Sequence, residues 1–91
     1  MSGIMTHIKL SNGFEADIDE TRIADMEFMD AINDIQEGDL TGLSKMAALL
    51  LPKPERKRLY DSVRNENGIA TIDRVSDMIQ ELLGQLGSKK N

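Results

Sequence analysis

Cysteine and tryptophan are absent from this 91-residue chain, and its aromatics are confined to Phe14, Phe28 and Tyr60. Without cysteine there is no disulfide scaffold, no thiolate metal site and no Cys-His nucleophile pair. With so few aromatic rings there is little surface on which nucleic-acid bases would stack. No apolar run approaches the ~20 residues of a membrane span, and the first residues lack the basic and apolar regions of a secretory leader. A reducing cytoplasm is the expected compartment. The single histidine, His7, is not joined by a serine on a strand-to-helix elbow, and no glycine-rich phosphate loop with its lysine is present. Asn65-Glu66-Asn67-Gly68 mimics part of a calcium loop, but Val63 stands at the first ligand position and Arg74 at the last. No catalytic residues, metal ligands or cofactor are therefore assigned, and the chain is not expected to be an enzyme.

What is there reads as one α+β domain over residues 1–91, an N-terminal β-hairpin packed against about four α-helices. In the hairpin, over 4–18, Ile4, Thr6, Ile8 and Leu10 alternate with Met5, His7 and Lys9. Phe14, Ala16 and Ile18 alternate with Glu15 and Asp17 in the same way. Each set has the period of two that buries one face of a strand. A two-residue Asn12-Gly13 loop would mix the faces. A three-residue Ser11-Asn12-Gly13 loop pairs Leu10 with Phe14, Ile8 with Ala16 and Thr6 with Ile18, and Gly13 suits the left-handed position of that turn. A two-stranded hairpin is marginal alone, so helices or a second copy must cover its apolar face.

Helical spacing predicts helices over 20–37, 42–51, 54–65 and 72–86, with residues 87–91 fraying. Asp19 is the expected cap of the first helix and Gly38 its stop. Ala24, Phe28, Ala31, Ile32 and Ile35 form one stripe on it; Ile23, Met26 and Met29 form a second, offset stripe. That second stripe suits either a neighbouring helix or a partner surface, and methionine adapts well to partners. In the second helix, capped by Thr41, Met46 to Leu51 is apolar all round, which places Met46 and Leu49 in the core or at a subunit interface. Pro52 ends it and Pro54 opens the third helix. Ile69 and Ala70 are expected to tuck inward before Thr71 caps the last helix. Ile72, Val75, Ile79, Leu82, Leu83 and Leu86 form the cleanest stripe in the chain. Candidate protein-binding residues are Ile23, Met26, Met29, Met46 and Leu49.

The net charge of −5 is unevenly spread. Ten acidic residues and only Arg22 among bases lie between Glu15 and Asp39, whereas Lys53, Arg56, Lys57, Arg58 and Arg64 crowd a stretch holding Glu55 and Asp61. The two clusters either face each other within one fold or steer contact between copies or toward a partner. The basic stretch also admits a rival reading, a small regulatory nucleic-acid binder that holds phosphates. No base-reading side chains accompany it.

Lys9-Leu10-Ser11-Asn12-Gly13-Phe14-Glu15, then Ile18-Asp19-Glu20, Asp25-Met26 and Asp30-Ala31, resembles the opening of the small tail assembly chaperones of long-tailed phages and prophages. The later order is also similar: a short Leu-rich helix, Leu59-Tyr60, the Asn67-Gly68 turn and a C-terminal amphipathic helix. The resemblance implies an assembly factor outside the virion, working in the bacterial host cytoplasm. It would bind the tape-measure protein, keep it soluble, help recruit tail-tube subunits, and self-associate as a homo-oligomer. It also implies a longer frameshifted form, for which Lys90-Asn91 would sit on a slippery run. A minor structural tail protein is the neighbouring alternative.

Overall fold

Ser11, Asn12 and Gly13 reverse the chain as the alternation predicts. The computed structural model describes residues 5–88, with Ile4 and residues 89–91 lying outside the described residues. Strand β1 (Met5–Lys9) pairs antiparallel with β2 (Glu15–Asp19), Thr6 opposite Ile18 and Ile8 opposite Ala16. The Leu10 amide donates to the Phe14 carbonyl at 2.8 Å, and Gly13 closes the turn at a φ of 94°. Thr6, Ile8, Leu10, Phe14, Ala16 and Ile18 are all buried. A slip of one residue would turn this whole set to water, which fixes the register.

The segment expected as one helix over 20–37 is two. A 3-10 turn over Glu20–Ala24 is capped by Asp19, and α1 (Met26–Gln36) is capped separately by Asp25, whose carboxylate accepts from the Glu27 amide at 2.8 Å. Asp25 has extended backbone angles. An aspartate satisfies the first amides of a helix as well as it sits inside one poorly. Gly38, at a φ of 90°, ends α1 in a Schellman motif: its amide donates to Ile35 and the Asp39 amide to Asp34.

Helix α2 (Thr41–Leu50) follows. Thr41 is its first residue rather than its cap. The Asp39 carboxylate accepts from both the Thr41 amide and its hydroxyl, and that hydroxyl holds the Asp39 carboxyl below its ordinary range. Helix α3 (Lys53–Ser62) starts with proline in its first turn and ends three residues earlier than its spacing suggests. A turn closed by the Asn65 side chain on the Asn67 and Ile69 amides leads to α4 (Ile72–Ser88), which continues two residues past the expected end at 86.

One core joins these elements. Phe28 and Ala31 of α1, Leu43, Met46, Ala47 and Leu50 of α2, Leu59 of α3, and Val75, Ile79, Leu82 and Leu86 of α4 close over the hairpin. Each large side chain so buried contributes roughly 1.5–3 kcal/mol. Polar clasps hold the hairpin at both edges. On the α4 side, Gln85 donates to the Lys9 carbonyl, and the Glu81 carboxylate accepts from the Ser11 amide and hydroxyl. On the α3 side, Arg58 donates to the Glu15 carbonyl and lies over the Phe14 ring at 5.0 Å. These contacts blunt the strand edges, which would otherwise recruit further strands.

Candidate functional site

The closed core leaves large apolar side chains in water. Among the described residues Met5, Met26, Met29, Leu40, Ile69 and Ile72 are each more than half exposed, Met26 the most at 71%. Two groups of them have structure around them.

The first is on α1. Phe28 and Ala31 turn into the core, so Met26 and Met29, on the opposite side, face outward. Glu27 and Asp30 flank them, and among the described residues neither has an ion-pair partner. Beside this face Glu27, Asp30, Lys45, Ala48 and Leu49 line a cleft of about 410 Å³ between α1 and α2. Leu49 is half-buried and reaches this cleft. Two expected members of the surface do not belong to it. Ile23 turns against the core because the chain breaks at Asp25. Met46 is 5% exposed and is a core residue, because α2 is wrapped on several sides.

The second group was not legible in the sequence. Leu40, Leu43, Tyr60, Ala70, Ile72 and Val75 line an open apolar groove of about 370 Å³ between α2, α3 and the start of α4. Ile69, expected to tuck inward, stands exposed beside Ala70. Ile72, expected in the buried stripe of α4, is exposed because it is the first helical residue. A helical side chain leans toward the preceding turn, and at Ile72 there is no such turn to lie on. Leu40 reads in the sequence as part of a linker, and only the fold places it at the rim.

The basic stretch is largely engaged at home. Arg58 pairs with Glu55 and clasps β2. Lys57 and Arg64 both hold Asp61, at 3.1 and 2.8 Å, and the Asp61 carboxyl is held below its ordinary range, by Arg64 first and Lys57 second. Arg64 also donates to the Gly68 carbonyl. Lys53 and Arg56 alone of the five have no carboxylate partner among the described residues. Three of the five cations are thus paired with acids of the same stretch. Among the described residues no ion pair joins the acidic cluster to the basic one; Lys45 with Asp34 joins α1 to α2.

His7 lies on the outer face of the hairpin, its Nδ1 2.8 Å from Asp17 and its Nε2 2.7 Å from Glu15. Asp17 first, then Glu15, raises the imidazole above its ordinary value. The trio is exposed and, with Ala16, Pro52, Glu55 and Arg58, lines an open cleft of about 350 Å³ between the hairpin and the start of α3. Among the described residues no cluster of histidine, aspartate and glutamate is arranged to hold a metal ion, and no helix is long and apolar enough to cross a membrane. Comparison with known proteins finds no family model, no curated protein and no solved structure that matches this chain.

Proposed function

We propose that this chain is a protein-binding assembly chaperone of the phage-tail type. It would act in the bacterial host cytoplasm, hold the tape-measure protein soluble, and bring tail-tube subunits to it. The observation that carries the reading is the apolar surface left over once the core is closed: Met26 and Met29 on one side, Leu40 and Ile72 at a groove on another. Grouped exposed side chains of this size mark contact surfaces, and long helical clients offer apolar anchors at spacings that such grooves accept. The tail-specific part rests on the resemblance carried by Lys9 to Glu15 and the acidic segment after it.

The test is co-expression with a tape-measure protein encoded beside this chain. The expected result is that the tape-measure protein moves from the pellet to the supernatant and co-elutes with this chain. A tape-measure protein equally insoluble with and without it would overturn the reading.

A further inference from the structure

The chain holds two Asn-Gly pairs, Asn12-Gly13 and Asn67-Gly68, and the fold sets both in the same kind of turn. In the first, the Gly13 amide donates to the Leu10 carbonyl at 2.9 Å and the Leu10 amide to the Phe14 carbonyl at 2.8 Å. In the second, the Gly68 amide donates to the Asn65 carbonyl at 2.8 Å and the Asn65 amide to the Ile69 carbonyl at 2.9 Å. Each glycine takes the left-handed position, at a φ of 94° and of 80°. Both asparagines are exposed. They differ in what holds the side-chain amide. Asn12 is tied at both ends: its Oδ1 accepts from the Phe14 amide at 3.0 Å, and its Nδ2 donates to Ser62 Oγ on α3 at 3.1 Å. In the second turn the side chain that holds the backbone is Asn65, whose Oδ1 accepts from the Asn67 and Ile69 amides. Among the described residues the Asn67 side chain has no hydrogen-bond partner.

We propose that Asn67 is a site of spontaneous covalent modification, deamidation through a cyclic imide, and that the same dipeptide at Asn12 is protected by its tethers. The Gly68 nitrogen gives its proton to solvent base and attacks Asn67 Cγ. The Cγ–Nδ2 bond then breaks, and the nitrogen takes a proton from water and leaves as ammonia. Water next adds to one of the two carbonyls of the five-membered imide. Opening at Cγ gives aspartate; opening at the main-chain carbonyl of residue 67 gives isoaspartate, with the main chain rerouted through Cβ and Cγ. One water enters, one ammonia leaves, and nothing is oxidised or reduced. Glycine suits the step because it has no side chain to obstruct the approach of its nitrogen to Cγ. The glycine amide must leave its own hydrogen bond in both turns, so that cost cancels between them. What remains is the side chain. The Asn12 carboxamide must release Phe14 and Ser62 before it can turn toward Gly13, and Asn67 has nothing to release. The consequence falls on one side of the molecule. The Asn67 turn joins α3 to α4 and leads to Ala70 in the wall of the apolar groove. Isoaspartate adds one carbon to the main chain there and either product adds a negative charge, so an aged chain carries an altered groove wall beside an unchanged hairpin. This chemistry does not depend on what the chain binds.

The test is peptide mapping by mass spectrometry on the full, folded chain held at mildly alkaline pH and physiological temperature, with isoaspartate counted by methylation with an isoaspartyl methyltransferase. Asn67 is expected to convert first, to aspartate and isoaspartate together. Asn12 should react roughly thirtyfold more slowly, the rate equivalent of releasing two hydrogen bonds of about 1 kcal/mol each. In denaturant the two sites should react at similar rates, because the tethers go with the fold; that arm separates protection by structure from the bare dipeptide. Ser62→Ala removes one tether and should speed Asn12 about fivefold while Asn67 keeps its rate. Asn67→Gln should hold its mass, since the longer side chain would have to close a six-membered ring. The assignment is overturned by Asn12 converting as fast as Asn67 in the folded chain. It is equally overturned by Asn67 keeping its amide in the folded chain over the time in which the denatured chain loses it. An Asn12 rate indifferent to both Ser62→Ala and denaturant would overturn the tether as the cause.

Discussion

Gly42→Ala and Gly84→Ala are the same chemical change in two helices, and the structure gives them opposite signs. Gly42 is buried in the first turn of α2 where that helix crosses α1. A Cβ built there would lie 2.4 Å from the Ala31 carbonyl oxygen, 2.9 Å from Ile35 Cγ1 and 3.0 Å from Asp34 Cβ. The nearest of these is backbone, so no rotamer change relieves it and the helices must separate. Overpacking of this kind costs about 1–3 kcal/mol. The helix propensity gained by losing a glycine returns ~1 kcal/mol. The net is a loss of up to roughly 2 kcal/mol, and at about 4–8 °C per kcal/mol for a domain of this size the midpoint should fall by up to roughly 15 °C. Gly84 is exposed in α4, and a Cβ there meets nothing within 4 Å. Only the propensity change remains, and the midpoint should rise by up to about 8 °C. Thermal unfolding followed by helical circular dichroism, at one low protein concentration so that association does not shift the midpoint, reads both. If Gly42→Ala stabilised the chain as Gly84→Ala does, the close crossing of α1 and α2 would be refuted.

Three further outcomes follow from particular contacts. Asp25→Ala removes the cap of α1 and should cost about 1 kcal/mol in denaturant unfolding; a loss no larger than that at an uncapped surface position would show that α1 does not begin at Met26. The His7 imidazole should titrate above its ordinary 6.5 by NMR, and Asp17→Asn should bring it back further than Glu15→Gln does. The stability His7 contributes is complete below 6.5 and is lost as pH rises through the raised value. Glu15, held below its ordinary 4.5 chiefly by His7, contributes above 4.5 and loses that as pH falls through the lowered value. An imidazole titrating at or below 6.5 would mean that the trio does not form in solution. Mixed-sequence DNA should show no mobility shift at low salt, since Lys57, Arg58 and Arg64 are committed within the fold; a shift that weakens steeply with salt would put α3 on phosphate instead.

The hairpin was legible because strand reading is digital. A period of two and a glycine at one loop position allow a single register, and Leu10 with Phe14, Ile8 with Ala16 and Thr6 with Ile18 are paired accordingly. The helices were legible as stripes but less so at their ends. Asp25 carries no mark that separates a capping aspartate from a solvent-facing one inside a helix. Thr41 lies inside the helix, and the longer aspartate two positions earlier accepts from both its amide and its hydroxyl. Gly42 looked like an ordinary helix-start residue; the helix crossing that requires it joins positions eleven and seven residues apart. The groove was invisible for the same reason. Leu40, Tyr60 and Ile72 come from three elements, and no periodicity within one element reports that they converge.

The break at Asp25 decides how much apolar surface faces outward. In a continuous helix over 20–37, Ile23, Met26 and Met29 would share one stripe, and a neighbour that sealed one would seal all three. The extended residue at Asp25 uncouples them. Ile23, on the 3-10 turn, packs against the core, while α1 is free to rotate Phe28 and Ala31 fully inward. That rotation leaves Met26 and Met29 more than half exposed, with no described element closing over them. Burying them within the monomer would mean withdrawing Phe28, whose loss from a core typically costs about 3–5 kcal/mol. Exposure of the two methionines is therefore the cheaper arrangement for one copy, and it persists until another polypeptide covers them.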